Sequence, residues 1–118
     1  MNQMEIVANN TTTNLLIKEY QDQRVVTFKD IDELHQRAEG TAGRNFRENR
    51  EYFVEGIDYF NLTGERLKNF KLATNFVGSR TKELILITQT GYPMLTKSMN
   101  DSLSWSVQRE LVNKYFNS

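Results

Sequence analysis

The sequence predicts an α+β fold: small antiparallel strands including a hairpin, helices packed on them, a helix-turn-helix-like pair and a long C-terminal helix. Three observations carry this. Two β-rich runs, residues 15–20 and 24–28, are separated only by Gln-Asp-Gln, which is hairpin spacing. Two helical patterns meet at Gly40 and Thr41 between Phe28 and Phe53. Near the end, Leu103, Trp105, Val107, Leu111, Val112, Tyr115 and Phe116 cover a wide arc of a helix.

Residues 1–14 are polar, closing on Asn-Asn-Thr-Thr-Thr-Asn, and are expected as a flexible, frayed arm ahead of a single domain over 15–118. The hairpin follows. Thr27 is placed to cap the next helix, and Asp30, with Asp32 and Glu33 nearby, complements the dipole of its first turn. Ile31, Leu34 and Ala38 define its buried stripe. His35 is expected on the partly exposed side. Gly40 suits a left-handed stop, and Thr41 is expected to cap the second helix. There Ala42, Phe46 and Phe53 lie at helical spacing, interrupted by Asn49 or Arg50. Residues 54–58 read as a turn and 59–62 as a short strand. Thr63 or Gly64 opens a short helix through Phe70. Residues 71–83 read as a loop with a basic tip at 78–82, and 84–87 as a buried strand. A helix over 88–100 holds Pro93 in its first turn, where proline is tolerated. Asp101 caps the last helix, from Ser102 to about Phe116.

At 118 residues the chain is long enough to bury a core without staples. It has no cysteine, which excludes zinc fingers and disulfide frameworks and is compatible with a reducing cytoplasm. No apolar run approaches bilayer length, and the N-terminus lacks the apolar segment of a signal peptide, so a soluble, cytoplasmic protein is expected. The formal net charge of zero argues mildly against nucleic acid. The distribution is uneven, however. Residues 1–58 hold seven Lys/Arg against eleven Asp/Glu, a net of −4, and residues 59–118 hold eight against four, a net of +4. Local field matters more than total charge for docking.

The second helix concentrates the chemistry. Arg44, Asn45, Arg47, Asn49 and Arg50 fall within two turns. Guanidinium groups suit phosphates and guanine edges, and a carboxamide can pair with adenine. Spacing of three keeps successive arginines near one face. The competing reading is surface pairing of Arg44 with Glu48 and Arg47 with Glu51, each four residues apart. Asparagine inside a helix is locally unfavourable, so two of them call for a role: contact with a base or phosphate, or hydrogen bonds to neighbouring turns. The helix over 41–53 is the expected DNA-contacting element, and Arg37 and Thr41 at its head count with Arg44, Asn45, Arg47, Asn49 and Arg50 as candidate nucleic-acid contacts; Arg80 and Lys82 form the basic tip, which would lie on a nucleic-acid backbone or simply be solvated. His35 is the single histidine and has no cysteine partner, so no metal is expected; no cofactor motif or nucleophile motif is present, and catalysis is not expected. Trp105, Tyr115 and Phe116 read as core packing or a subunit interface.

The run VVTFKDIDELHQRAEGTAGRNFRENREYFVEGIDYF resembles the ORF-six N-terminal domain of phage and prophage proteins, and ITQTGYPMLTKSMNDSLSWSVQRELVNKYF resembles that family's closing block. The likeness extends from about Leu16 to Phe116. Its motifs include Phe28-Lys29-Asp30-Ile31, Gly40-Thr41-Ala42, Asn45-Phe46, Asn49-Arg50 and Thr90-Gly91-Tyr92. The family is grouped with the KilA-N and Bro-N domains of viral regulators. The resemblance implies a DNA-binding module of an antirepressor-type phage or prophage regulator in the bacterial host cytoplasm, with double-stranded DNA as partner. Such modules are usually followed by a variable C-terminal domain, so a chain ending at Ser118 is expected to be either an excised N-terminal domain or a standalone version. The wide apolar arc of the last helix is accounted for by a homodimer or by that further domain. Two positions depart from the family pattern. Gly43 stands where another basic residue is frequent, at a helix-propensity cost of about 1 kcal/mol, and Pro93 stands in a slot associated with a bulky apolar residue.

Two other functions remain open at this level. Gly40-Thr-Ala-Gly43 is a GxxG between helices, similar to the nucleotide clamp of KH domains, which bind RNA or single strands. A protein-interaction module that binds a repressor suits the zero net charge.

Overall fold

Turn chemistry shapes the first half of the chain. A computed structural model describes residues 2–74 and 82–117, which build three two-stranded antiparallel sheets and five α-helices. β1 (Gln3–Ala8) pairs with β2 (Thr11–Leu16). Their turn residues Asn9 and Asn10 sit at φ of 48° and 65°, the left-handed pair that a two-residue hairpin requires and asparagine tolerates. Ile6, Ala8 and Leu15 turn inward and are buried. The arm expected over 1–14 is therefore a hairpin. Alternation along β1 gives the hairpin an apolar face that packs on the last helix, with Thr11 and Thr13 half-buried on that face opposite Ala8 and Ile6, while Thr12 faces outward opposite Val7.

β3 (Lys18–Tyr20) and β4 (Gln23–Val25) form the expected hairpin with shorter strands, closed by Gln21 and Asp22, again at positive φ. α1 (Phe28–Leu34) opens with a capping box. The Asp30 amide donates to Thr27 Oγ1 at 3.1 Å, and the Thr27 amide donates to the Asp30 carboxylate at 2.9 Å. The same carboxylate receives the ammonium of Lys18 at 2.9 Å, a lysine only 2 % exposed, and so joins β3 to the helix start. Ile31 and Leu34 are buried as expected. Ala38 is exposed because α1 stops at Leu34 and the chain leaves through a left-handed Gln36. α2 (Thr41–Glu48) also ends early. A single 3-10 turn (Arg50–Tyr52) follows, and Phe53 reaches the core from extended chain beyond it.

β5 (Tyr59–Thr63) and β6 (Glu83–Ile87) pair antiparallel, Tyr59 opposite Ile87 and Thr63 opposite Glu83. Val26 exchanges two hydrogen bonds with Ile87, linking this sheet to the chain just after β4. α3 (Gly64–Thr74) runs four residues past Phe70, into what had read as loop. Its Leu67 and Phe70 bury against Val25, Phe60, Leu62 and Leu86, a second core on the face of the hairpin opposite Tyr59, Ile85 and Ile87. α4 (Gly91–Leu95) is shorter than the expected 88–100 because Thr96 closes it, and it does hold Pro93 in its first turn. α5 (Ser102–Glu110) is capped by Asp101, which accepts the Ser104 amide at 3.2 Å, and continues into a π-type turn (Leu111–Tyr115). Val107, Leu111, Tyr115 and Phe116 join the larger core, whereas Trp105 is 66 % exposed. The Tyr115 hydroxyl receives the Lys18 amide at 2.9 Å and donates to Val25 O at 2.6 Å, fastening the C-terminal turn to the β3–β4 hairpin. Among the described residues no helix is long and apolar enough to cross a membrane.

Candidate nucleic-acid interface

α2 owes its position to a carboxylate on the preceding helix. Asp32, 4 % exposed, accepts the amides of Gly40 and Ala42 at 2.9 Å each. The N-cap residue is Gly40, at φ 96°, which has no side chain to do this. Thr41, expected as the cap, instead donates its hydroxyl to Ala38 O at 2.6 Å. Asp32 thus satisfies the orphan amides of α2 and fixes its start against α1. It also occupies the helix N-terminus, so an anion meeting α2 must be met by side chains.

Below this pair lies a buried polar chain. His35 was expected at a partly exposed edge. It follows Ile31 by four residues, so it shares the buried face and has no solvent access. Its Nδ1 lies 2.8 Å from Ser104 Oγ and its Nε2 lies 2.7 Å from the Tyr92 hydroxyl. One ring nitrogen donates and the other accepts. Burial, with the Arg37 charge nearby, lowers its pKa to about 4. Burial likewise pushes the hydroxyls of Tyr92 and Tyr115 above the ordinary tyrosine range. Arg37 is held here as well, donating to the Asp101 carboxylate at 3.2 and 3.3 Å and to His35 O at 2.9 Å. Its guanidinium and the Ser104 hydrogen bonds hold the Asp101 carboxyl well below the usual range. Arg37 therefore ties the helix pair to α5 rather than standing beside the α2 arginines.

On α2 itself Ala42, Gly43 and Phe46 face inward. Gly43 lies against the Phe28 ring, where a Cβ would come within 3.3 Å of Phe28 Cδ2. The missing basic residue at that position therefore takes no charge from the exposed face, and the GxxG is not an open loop. Arg44 and Arg47 are exposed, and among the described residues neither side chain enters an ion pair or hydrogen bond; the pairs with Glu48 and Glu51 do not form. Asn45 is half-buried, and its carboxamide makes no hydrogen bond among the described residues. Asn49 closes the helix, its side-chain Nδ2 donating to Asn45 O at 2.9 Å. Arg50 lies on the turn after α2, its guanidinium 5.2 Å over the Phe46 ring and 5.4 Å over the Tyr59 ring. It covers the aromatic cluster of Phe46, Phe53 and Tyr59.

Beside α2 an open groove of about 820 Å³ runs toward α4, lined by Asn45, Tyr52, Met94, Lys97 and Ser98 among others. Tyr52 in its lining is 67 % exposed, and Val54 and Ile57, on the chain that follows, are exposed apolar groups at 53 and 60 %. Lys82 is exposed but stands before β6, at the Thr63–Glu83 end of the hairpin, while α2 packs at the Tyr59 end. Arg80 lies outside the described residues. The structure thus brings together Arg44, Asn45, Arg47, Asn49 and Arg50, places Thr41 at their head, and leaves Arg37 and Lys82 apart. Among the described residues no group of three or more His, Cys, Asp or Glu gathers to hold a metal. The residue that local reasoning misassigned is Asp32. Its role as a remote cap has no local signal beyond an acidic residue on a helix followed, eight positions later, by an uncapped start.

Against known families, a model described as the ORF6N domain matches residues 15–98. No curated protein and no solved structure matches the chain significantly.

Proposed function

The chain belongs to the ORF6N domain family, a phage-associated group, and on that premise we propose that it is a DNA-binding module of an antirepressor-type regulator, with α2 laid against duplex DNA. The observation that carries this reading is the state of Arg44 and Arg47. Two exposed guanidiniums on one short helix have no acidic partner among the described residues, although Glu48 and Glu51 stand at pairing distance in sequence. Beside them Asn45 offers a carboxamide that makes no hydrogen bond among the described residues. Arginine contacts supply phosphate affinity, and the carboxamide supplies base discrimination. The module binds rather than catalyses.

The test is titration of labelled duplex DNA with the parent chain and with Arg44→Ala/Arg47→Ala over a range of salt concentrations. Loss of two phosphate contacts lowers the slope of log K against log salt by about 1.8. Equal affinity and equal slope in parent and double variant would remove the assignment.

A second reading, docking of a repressor protein, is favoured by the exposed Tyr52, Val54 and Ile57, interspersed with Glu51 and Glu55. It predicts co-purification with a repressor that Tyr52→Ser/Ile57→Ser abolishes while DNA binding is unaffected. The KH-like alternative finds no support, since Gly43 is packed inward.

A further inference from the structure

The basic surplus of this chain is not on α2. Between Gly64 and Lys82 five Lys/Arg stand against one Glu, a net of +4 in a chain of net zero, so the remaining residues carry −4. The described part of that stretch is α3 and the approach to β6. Arg66, Lys68 and Lys82 are exposed there. We propose that α3 and Lys82 form a second DNA-contacting surface, one that grips the sugar-phosphate backbone without reading sequence. This rests on the duplex-binding reading of α2 and assigns to different residues most of the electrostatic attraction.

Placement supports a separate role. α3 leaves β5 at Thr63, and Lys82 enters β6 opposite it, whereas α2 packs on Tyr59 at the other end of the same hairpin. Four residue steps of strand separate the ends by about 14 Å. That exceeds the width of a major groove, about 12 Å, so Lys82 meets a different part of the duplex from a helix lying in the groove; α3 is set apart in another way, packed on the Phe60, Leu62 and Leu86 face of the hairpin while Tyr59 and Ile87 face the core of α2. The platform is also rigid. Leu67 and Phe70 anchor α3 in the second core, and Arg66 donates to the Tyr20 hydroxyl at 2.6 and 2.9 Å, while the Tyr20 ring meets Phe60 and Phe70 edge to face. A cation held on a fixed scaffold loses less freedom when it meets a phosphate. The acidic remainder explains why such a surface is needed. With Glu33, Glu39, Glu48 and Glu51 exposed on or near α1 and α2, the reading helix draws a polyanion weakly by itself.

The experiment compares the parent with Lys68→Gln/Lys82→Gln, neutral changes at exposed sites that suit the helix at position 68. Fluorescence anisotropy against random-sequence duplex, and against any duplex the parent selects, is read from low to high salt; far-UV ellipticity checks the fold. Losing two backbone contacts is expected to weaken binding about 60-fold at about 0.1 M salt and to lower the salt slope by about 1.8. Both duplexes should weaken equally, leaving the preference between them unchanged. If the parent binds duplex and the variant matches it in affinity and slope, the second surface is refuted while the α2 reading stands. If the variant loses preference as well as affinity, the backbone-only role is refuted. If the parent binds no duplex at low salt but captures polyglutamate through Lys68 and Lys82, both readings fail and the surface belongs to an acidic protein.

Discussion

Acid should unfold this protein through one imidazole. His35 is the chain's single histidine and is fully buried between Ser104 and Tyr92. Its pKa falls from 6.5 to about 4 on folding, chiefly through burial. Between those values the folded chain binds fewer protons than the unfolded chain, so stability declines as pH falls. The contribution is complete above pH 6.5 and drains away as pH drops toward 4. At about 1.4 kcal/mol per unit, the loss is about 2 kcal/mol between pH 7 and pH 5 and about 3 kcal/mol by pH 4. Carboxylates scarcely titrate above pH 5, which leaves this window to the histidine. The measurement is urea unfolding followed by far-UV ellipticity at pH 7, 6 and 5, for the parent and for His35→Gln. The glutamine variant, whatever its absolute stability, should show a nearly flat profile. Parallel curves for the two proteins, or a parent that is itself flat, would refute the account of a neutral histidine locked in the core.

Two further substitutions test how the helices are placed. Asp32→Ala removes the acceptor of the Gly40 and Ala42 amides and should cost about 3–6 kcal/mol, at about 1.5–3 kcal/mol for each hydrogen bond to a charged group; Asp32→Asn, which keeps one acceptor oxygen, should fall between it and the parent in urea midpoint. Gly91→Ala would drive its Cβ into the carbonyl of Asp58, which is backbone and has little room to yield, so a loss of about 1–3 kcal/mol is expected in thermal unfolding.

Local chemistry made part of this fold legible and long-range contact concealed the rest. Thr27 with Asp30, the Gln-Asp turn at 21–22, the inward Ile31, Leu34 and Phe46, and the cap at Asp101 all follow from side chains acting within a few residues of themselves. The β1–β2 hairpin was hidden because its buried face holds only small or isolated apolar groups, while Asn9 and Asn10 read as disorder rather than as a left-handed turn. His35 meets Tyr92 and Ser104, 57 and 69 residues away, and no periodicity announces such partners. At the candidate interface the arginines and Asn45 were legible as a cluster. What was not legible was that Arg37 belongs to Asp101, that Arg50 lies over the Phe46 and Tyr59 rings, and that α3 runs past Phe70 to Thr74.

The exposed indole on α5 has a practical result. Trp105 is the chain's lone tryptophan, and water surrounds most of it in the folded state. Denaturation therefore changes its surroundings little, and its emission stays at long wavelength on both sides of the transition. A blue shift would instead mark another molecule settling over the outer side of that helix, so this chain carries its own optical gauge of encounter rather than of unfolding.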